Sequence, residues 1–399
     1  MSKTKDESKS CISKINKKVI LKGPILTNSG YGVHTRQIFE YLFRRNDIDL
    51  YVQPTLWGKT SWILDDKDET IKNIIKYCQK KLGKEKADVS YQVLLPNEWK
   101  NIALKNIGIT AGFEADIVKK TWIEYCNNMD LVIVPSIFSR DAFYKTSRIN
   151  NLNLETKIEV LNEWYYKDFD KCKENFNFLK DLKYDKNILI IGQITSDNQK
   201  SDRKNIIKTI KTALDFVKDK NIGIILKVNT GKFTNSAFNY LKDELTSILK
   251  DQNLEKICLI FGSLSITELK GLYSCKKVTC MLSGTRAEGW GLPFIEAASC
   301  GLPIIATNYS AYKEFLDNDF LQIEYEKEIF TQDFNFVDKD SNPYWANFKI
   351  ESMINKLQVF FENIDFYKKI ADKRQIIIKQ NYNIDIILNN YKEVFESNF

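Results

Sequence analysis

The chain contains no stretch of about 18 uncharged apolar residues, so no segment has the length and hydropathy of a membrane-spanning helix. It has one histidine, His34, and its eight cysteines (Cys11, Cys78, Cys126, Cys172, Cys258, Cys275, Cys280 and Cys300) include no CxxC pair. That leaves no clustered ligands for a structural zinc, and no metal is expected. Several of the cysteines fall in apolar stretches, where Cys behaves as a small hydrophobe, and they read as thiols of a reduced, cytoplasmic protein. Neither a helix-turn-helix nor an RNA-binding signature accompanies the positive charge, so nucleic acid is not an expected partner. The first 18 residues lack the apolar core of a secretory signal. They carry six lysines against two acids, +4 of the formal +7, and read as a disordered basic tail. Such a tail is either simply solvated or drawn to an anionic membrane face at roughly 1 kcal/mol per lysine.

What is present points to two ordinary domains. The 399 residues are 43% apolar, enough for two separate cores. Short apolar runs at 19–25, 49–53, 89–95, 106–110, 131–134 and 158–161 alternate with helical patterns. A second series follows at 187–192, 222–228, 257–261, 278–282, 302–306 and 321–324. Strands alternating with helices imply parallel sheets covered on both faces. Residues 325–345 read as loop, and the remainder as helix.

The most informative stretch is 281–314, MLSGTRAEGWGLPFIEAASCGLPIIATNYSAYKE. Its strand runs into a loop with Gly284, Arg286, Glu288, Gly289 and Gly291. A helix then begins near Pro293, where the missing N–H costs nothing, and stops at Gly301. Strand, glycine-bearing loop and helix together aim backbone N–H groups at a phosphate. Glu288 lies in the loop and Glu296 on the helix, so both carboxylates can face one ligand. A second signal lies at Arg203, Lys204 and Asn205, at the start of a helix with an apolar face of Ile206, Ile207, Ile210, Leu214 and Val217. Two cations at a helix N-terminus are misplaced unless an anion sits among them. Near the start of the chain, Gly30 and Gly32 let backbone approach a ligand, and His34 is expected to cap or pack.

The stretch EGWGLPFIEAASCGLPIIATN resembles the donor-site motif of retaining GT-B glycosyltransferases of the GT4 class, the group 1 glycosyl transferases. The FEAD segment at 113–116, the Val134-Pro135-Ser136 turn and the helix start at 203–205 resemble further parts of that family. The resemblance implies two Rossmann-like domains facing across a cleft, with a C-terminal helix crossing back onto the first. The expected division is a tail at 1–18, an acceptor domain at 19–165, a nucleotide-sugar domain at 166–375 and the crossover at 376–399. It further implies that Glu288 contacts the donor sugar and Glu296 the ribose, while the backbone at Gly291 and Leu292 holds the diphosphate. Gly289 and Arg286 complete the expected donor loop. Lys204 matches the family's phosphate-binding lysine. Gln193 stands where many relatives have arginine, so Arg203 is taken as the substitute. Glu114, Gly32 and His34 are the expected acceptor or cleft residues. NEWYYKDF, at 162–169, departs from the family linker and suggests a stiffer hinge or an aromatic cleft lining.

The expected activity is transfer of a sugar from a nucleoside-diphosphate sugar, with no cofactor or metal, to a hydroxyl of a glycan, glycolipid or protein-linked acceptor. Two alternatives stay open: a nucleotide-sugar epimerase or hydrolase, and a non-catalytic nucleotide-sugar-binding partner subunit. The expected setting is the cytoplasm, with peripheral contact at the membrane face left open.

Overall fold

In the computed structural model, the described residues are 16–58, 60–64, 68–166, 169, 179, 182–193, 202–229, 235–250, 253–330 and 337–397. The tail assigned to 1–18 therefore falls mostly outside them, and its last two residues, Lys17 and Lys18, begin the first strand. Most of the charged run 167–186 also lies outside the described residues.

Six parallel strands form the first sheet: β1 (Lys17–Gly23), β2 (Ile48–Pro54), β3 (Ala87–Val93), β4 (Ala103–Ile109), β5 (Leu131–Val134) and β6 (Ile158–Val160), in the order β2-β1-β3-β4-β5-β6. Helices cover it. Ser29 caps α1 (Gly30–Phe43) through the amide of Gly32 (3.0 Å), and Ser136 caps α4 (Ile137–Ile149) through that of Ser139 (3.0 Å). Between them lie α2 (Glu69–Cys78) and α3 (Thr121–Asn127).

The second sheet is also parallel: β7 (Asn187–Gln193), β8 (Gly223–Asn229), β9 (Ile257–Phe261), β10 (Val278–Ser283), β11 (Ile304–Thr307) and β12 (Leu321–Ile323). Its order is β12-β11-β10-β7-β8-β9, a dinucleotide-fold order whose direction of winding reverses between β7 and β10. Strands buried on both faces read as unbroken apolar runs, as ILII in β7 does. Around this sheet lie α5 (Ile206–Val217), α6 (Asn235–Leu249), α7 (Ile266–Ser274), α8 (Leu292–Ser299), α9 (Lys313–Leu316), α10 (Ile350–Glu362) and α11 (Ile364–Asn381).

The final helix, α12 (Ile384–Ser397), crosses back. Its Ile387, Leu388, Tyr391 and Phe395 are buried in the core of the first domain, with Phe395 against Tyr41 and Tyr91. The 161–165 linker joins both cores: Leu161 and Trp164 pack into the first and Tyr165 into the second. Gln37 donates to the Trp164 carbonyl (2.9 Å) and accepts from its amide (3.3 Å), tying the linker to α1.

One sequence expectation is corrected. Residues 325–345 include an antiparallel hairpin, β13 (Tyr325–Ile329) with β14 (Tyr344–Phe348). Its β13 carries three consecutive charges, Glu326, Lys327 and Glu328, with too little apolar alternation to read as a strand until β14 supplies the partner.

Candidate functional site

Ligands of open parallel sheets gather outside the carboxyl ends of the strands, where the winding reverses. In the second sheet that place lies between β7 and β10. The segment 202–205 leads from beyond β7 into α5, and the loop 284–291 leads from β10 into α8. The two are tied together: the amide of Arg286 donates to the Arg203 carbonyl (3.0 Å), and its Nε donates to the Asp202 carbonyl (3.1 Å). Arg286 also pairs with Glu328 (2.8 Å) and lies 4.7 Å over the Trp345 ring, so its charge braces the loop against the hairpin. The expected pair of cations and the expected glycine loop thus converge, although about 80 residues separate them in sequence.

Glu288 is buried and sits at the centre. Lys204 Nζ donates to both of its carboxylate oxygens, and Thr285 Oγ1 donates to one of them (2.9 Å). Burial opposes ionisation, but Lys204, then Arg203, then these hydrogen bonds hold its carboxyl below the usual carboxylate range. Lys204 is itself lowered, by burial and by the adjacent Arg203, against the pull of Glu288. The amide of Glu288 donates to Ser310 Oγ (2.9 Å), and its carbonyl accepts from Ala311 (3.3 Å). Thr285 and Ser310 went unnoticed in the sequence, where a hydroxyl three or twenty-two positions away carries no signal.

Gly291 has φ +100° and precedes α8, and Leu292 is the first residue of that helix. A Cβ at Gly291 would come within 3.1 Å of Phe294 Cδ2, so both backbone angle and space favour glycine. Gly289 touches the first domain: a Cβ there would lie 2.9 Å from the Ala111 carbonyl oxygen. Ser136 Oγ donates to the Gly289 carbonyl (2.6 Å), and Ser139 Oγ lies 3.2 Å from it. Nearby, Glu314 of the second domain accepts from the first two amides of α4, those of Ile137 (3.0 Å) and Phe138 (2.9 Å).

Glu296 lies deeper, on α8, accepting from Tyr273 OH (2.9 Å). Burial pushes its carboxyl up to about 8, with Tyr273 and then Lys227 acting against the rise. Glu288 and Glu296 therefore occupy opposite electrostatic settings. A third buried acid, Glu163 in the linker, is also pushed up to about 8 by burial and by the charge of Glu296. Glu163 Oε1 lies 3.8 Å from His34 Nδ1, and burial lowers His34 to about 4. His34 thus packs inside α1 as a neutral imidazole. Gly32 serves close packing, since a Cβ there would fall 2.2 Å from the Thr27 carbonyl oxygen.

From the first domain, Glu114 reaches across and pairs with Arg203. The anion expected beside Arg203 and Lys204 is thus supplied within the protein by two carboxylates, Glu114 and Glu288. Trp99 and Trp122 are core residues, whereas Trp57 stacks on Tyr31 at 4.1 Å beside the loop after β1. Among the described residues, no group of three or more His, Cys, Asp or Glu side chains is placed to hold a metal ion.

Residues 239–330, from α6 through the glycine loop to the start of the hairpin, match the family model of glycosyl transferases group 1. The protein has the GT-B fold, and its second domain carries the group 1 match. No curated protein matches the chain significantly. Solved structures match over nearly all of both chains. Sucrose-phosphate synthase from Thermosynechococcus elongatus is 12% identical, with 96% of this chain and 99% of that one covered and a TM-score of 0.63. HepE from Anabaena, solved with UDP and glucose, is 12% identical over 96% and 100%, with a TM-score of 0.61. A glycosyltransferase from Rickettsia africae is 15% identical over 96% and 99%, also at 0.61. At these identities the likeness is one of fold.

Proposed function

We propose that this protein is a group 1 glycosyltransferase, a retaining, metal-independent enzyme of the GT4 class. It moves a sugar from a nucleoside-diphosphate sugar to a hydroxyl of a glycan, glycolipid or protein-linked acceptor. The observation that carries this reading is the meeting of Arg203, Lys204, Glu288 and the start of α8 at the reversal point of the second sheet, facing Glu114.

The reaction builds negative charge on the departing diphosphate. Fixed donors in a closed site stabilise such charge without reorganising. Lys204, Arg203 and the backbone at Gly291 and Leu292 take that role, with Gly289 and Arg286 shaping the loop. Glu288 orients the sugar and Glu296 the ribose, each through hydrogen bonds worth about 1.5 to 3 kcal/mol when charge-assisted. The acceptor attacks from the leaving-group side and passes its proton to the diphosphate oxygen, so no protein base is required. The contacts across the cleft, from Ser136 to Gly289 and from α4 to Glu314, support a closed form that excludes water.

An epimerase or hydrolase needs a free acid or base in the cleft. His34 is buried within α1, and Glu114 is paired with Arg203 while no donor is bound, so that reading rests on Glu114 alone and is separated by whether nucleotide release depends on acceptor. A cytoplasmic setting fits the free thiols of Cys78, Cys126, Cys258, Cys275, Cys280 and Cys300. No helix among the described residues is long and apolar enough to cross a membrane. Contact of the basic tail with anionic lipid is tested by vesicle co-sedimentation.

The deciding experiment is a turnover screen of UDP-, GDP- and ADP-sugars, each with and without a mixed glycan and glycolipid pool, in buffer containing a chelator. Nucleotide release that rises with acceptor supports transfer. Release indifferent to acceptor favours the hydrolase, and binding without release favours a partner subunit. Glu296→Ala should mainly weaken donor binding, while Glu288→Ala should cut turnover more than affinity. Wild-type kinetics in both variants would discard the site assignment.

A further inference from the structure

Two carboxylates already neutralise the two cations of the donor site, and they differ in kind. Glu288 is buried, is bonded by Thr285 as well as Lys204, and comes from the same domain. Glu114 comes from the opposite domain, keeps 22% of its side chain exposed and bonds a guanidinium that is itself 28% exposed. Burial disfavours the Arg203 charge, and Glu114 leads the charges that restore it, ahead of Glu288 and Asp202. Four charges, Arg203 and Lys204 against Glu114 and Glu288, sum to zero, so the site as folded has little net pull on an anion.

The backbone beneath Glu114 is held independently of that ion pair. Asp116 accepts from the Tyr344 amide (2.8 Å), and its own amide donates to the Tyr344 carbonyl (3.4 Å). The Lys120 amide donates to Asp338 (2.7 Å), and Ala115 is buried with Phe330, Val337 and Trp345. The hairpin of the second domain therefore clamps the loop on the C-terminal side of Glu114. The loop thus stays anchored without the Glu114–Arg203 pair.

We infer that Glu114 is an internal stand-in for the donor's pyrophosphate: it occupies Arg203 until the pyrophosphate displaces it, and the freed carboxylate then faces the cleft. This rests on the donor-site reading above. The arrangement makes donor binding a carboxylate-for-phosphate exchange at Arg203. It keeps inorganic anions from filling the empty site, and it presents Glu114 to an acceptor only after the donor has arrived. Glu114 is a specificity-determining residue in this scheme.

Calorimetric titration of the full chain with inorganic pyrophosphate, which requires no knowledge of the base or sugar, tests it. Glu114→Gln keeps the shape and removes the competitor, and is expected to bind pyrophosphate roughly 3- to 10-fold tighter than wild type at low salt. The gain should shrink at about 0.5 M salt. Placing Glu114→Gln on an Arg203→Gln background should abolish it. Glu114→Asp, which keeps the charge but is one methylene shorter, should gain less, and it serves if the glutamine variant fails to fold. Equal or weaker binding by Glu114→Gln overturns the exchange, as does a gain that survives without Arg203. If folded wild type and Glu114→Gln bind neither pyrophosphate nor UDP, GDP or ADP, the donor-site reading falls along with it.

Discussion

Replacing Lys204 by methionine leaves Glu288 buried with Thr285 as its remaining side-chain donor and Arg203 as its remaining nearby cation. Removing one member of a buried ion pair generally costs about 3 to 5 kcal/mol, because the surviving charge stays desolvated. Two features put this site below that range: the Lys204 side chain keeps 24% of its exposure, and Arg203 still acts on Glu288. A loss of about 2 to 3 kcal/mol is expected. Glu288→Gln strands a lysine that can swing toward solvent, and should cost about 1 to 2 kcal/mol. The double variant removes both charges, so the two losses should fail to add, leaving a coupling of about 1.5 to 3 kcal/mol. Urea unfolding followed by both fluorescence and circular dichroism measures the four corners of the cycle and checks that the domains unfold together.

The pH dependence adds a signed test. In the wild type the folded-state pKa of Glu288 is depressed, so its contribution is present at neutral pH and fades as pH falls through the folded value. Without Lys204 the burial penalty dominates, Glu288 takes up a proton on folding, and acid stabilises the variant. The gap between wild type and Lys204→Met should therefore narrow on going from pH 8 to about pH 5. Additive losses with a gap independent of pH would show that the two groups do not form the pair described.

Other consequences follow from single positions. Gly291→Ala forces a side chain onto φ +100° and into Phe294, and should cost about 1 to 2 kcal/mol with a weakened donor affinity; unchanged thermal melting and binding would refute the backbone argument. Gly32→Ala places its Cβ against the Thr27 carbonyl, a backbone atom that cannot swing away, at about 1 to 3 kcal/mol, read from the urea midpoint. Glu163 is raised from 4.5 to about 8, so between those values the folded state holds a proton that the unfolded state lacks, and stability falls as pH rises through the window. Glu163→Gln should flatten that fall by up to about 1.4 kcal/mol per pH unit, and an unaltered slope would count against the buried neutral acid. Glu314→Ala uncaps α4 only where the domains meet, so it should raise donor KM and the radius of gyration in small-angle scattering; a change in melting alone would mean the contact merely supports the fold.

The sequence by itself determined the layered α/β architecture, because apolar runs of strand length separated by helical periods have few other ways to bury themselves. It determined the backbone of the 284–291 loop as well: glycine and proline spacing is local chemistry, and Gly291 and Pro293 do what their backbone preferences dictate. The cap of α4 by Ser136 and the capping box of Ser265 with Glu268 at the start of α7 are local chemistry of the same kind. Only the tertiary structure decided which charges face one another. That Lys204 finds Glu288, that Arg203 finds Glu114 from the other domain, and that Glu296 and Glu163 are raised by burial depend on strand order and domain closure. None of these leaves a pattern along the chain. The hairpin at 325–348 escaped notice on the same ground, since a charged strand becomes one only when its partner and the domain opposite are in place. Local sequence fixes backbone geometry within a few residues, whereas the electrostatics of a site are sums over neighbours brought together by the fold.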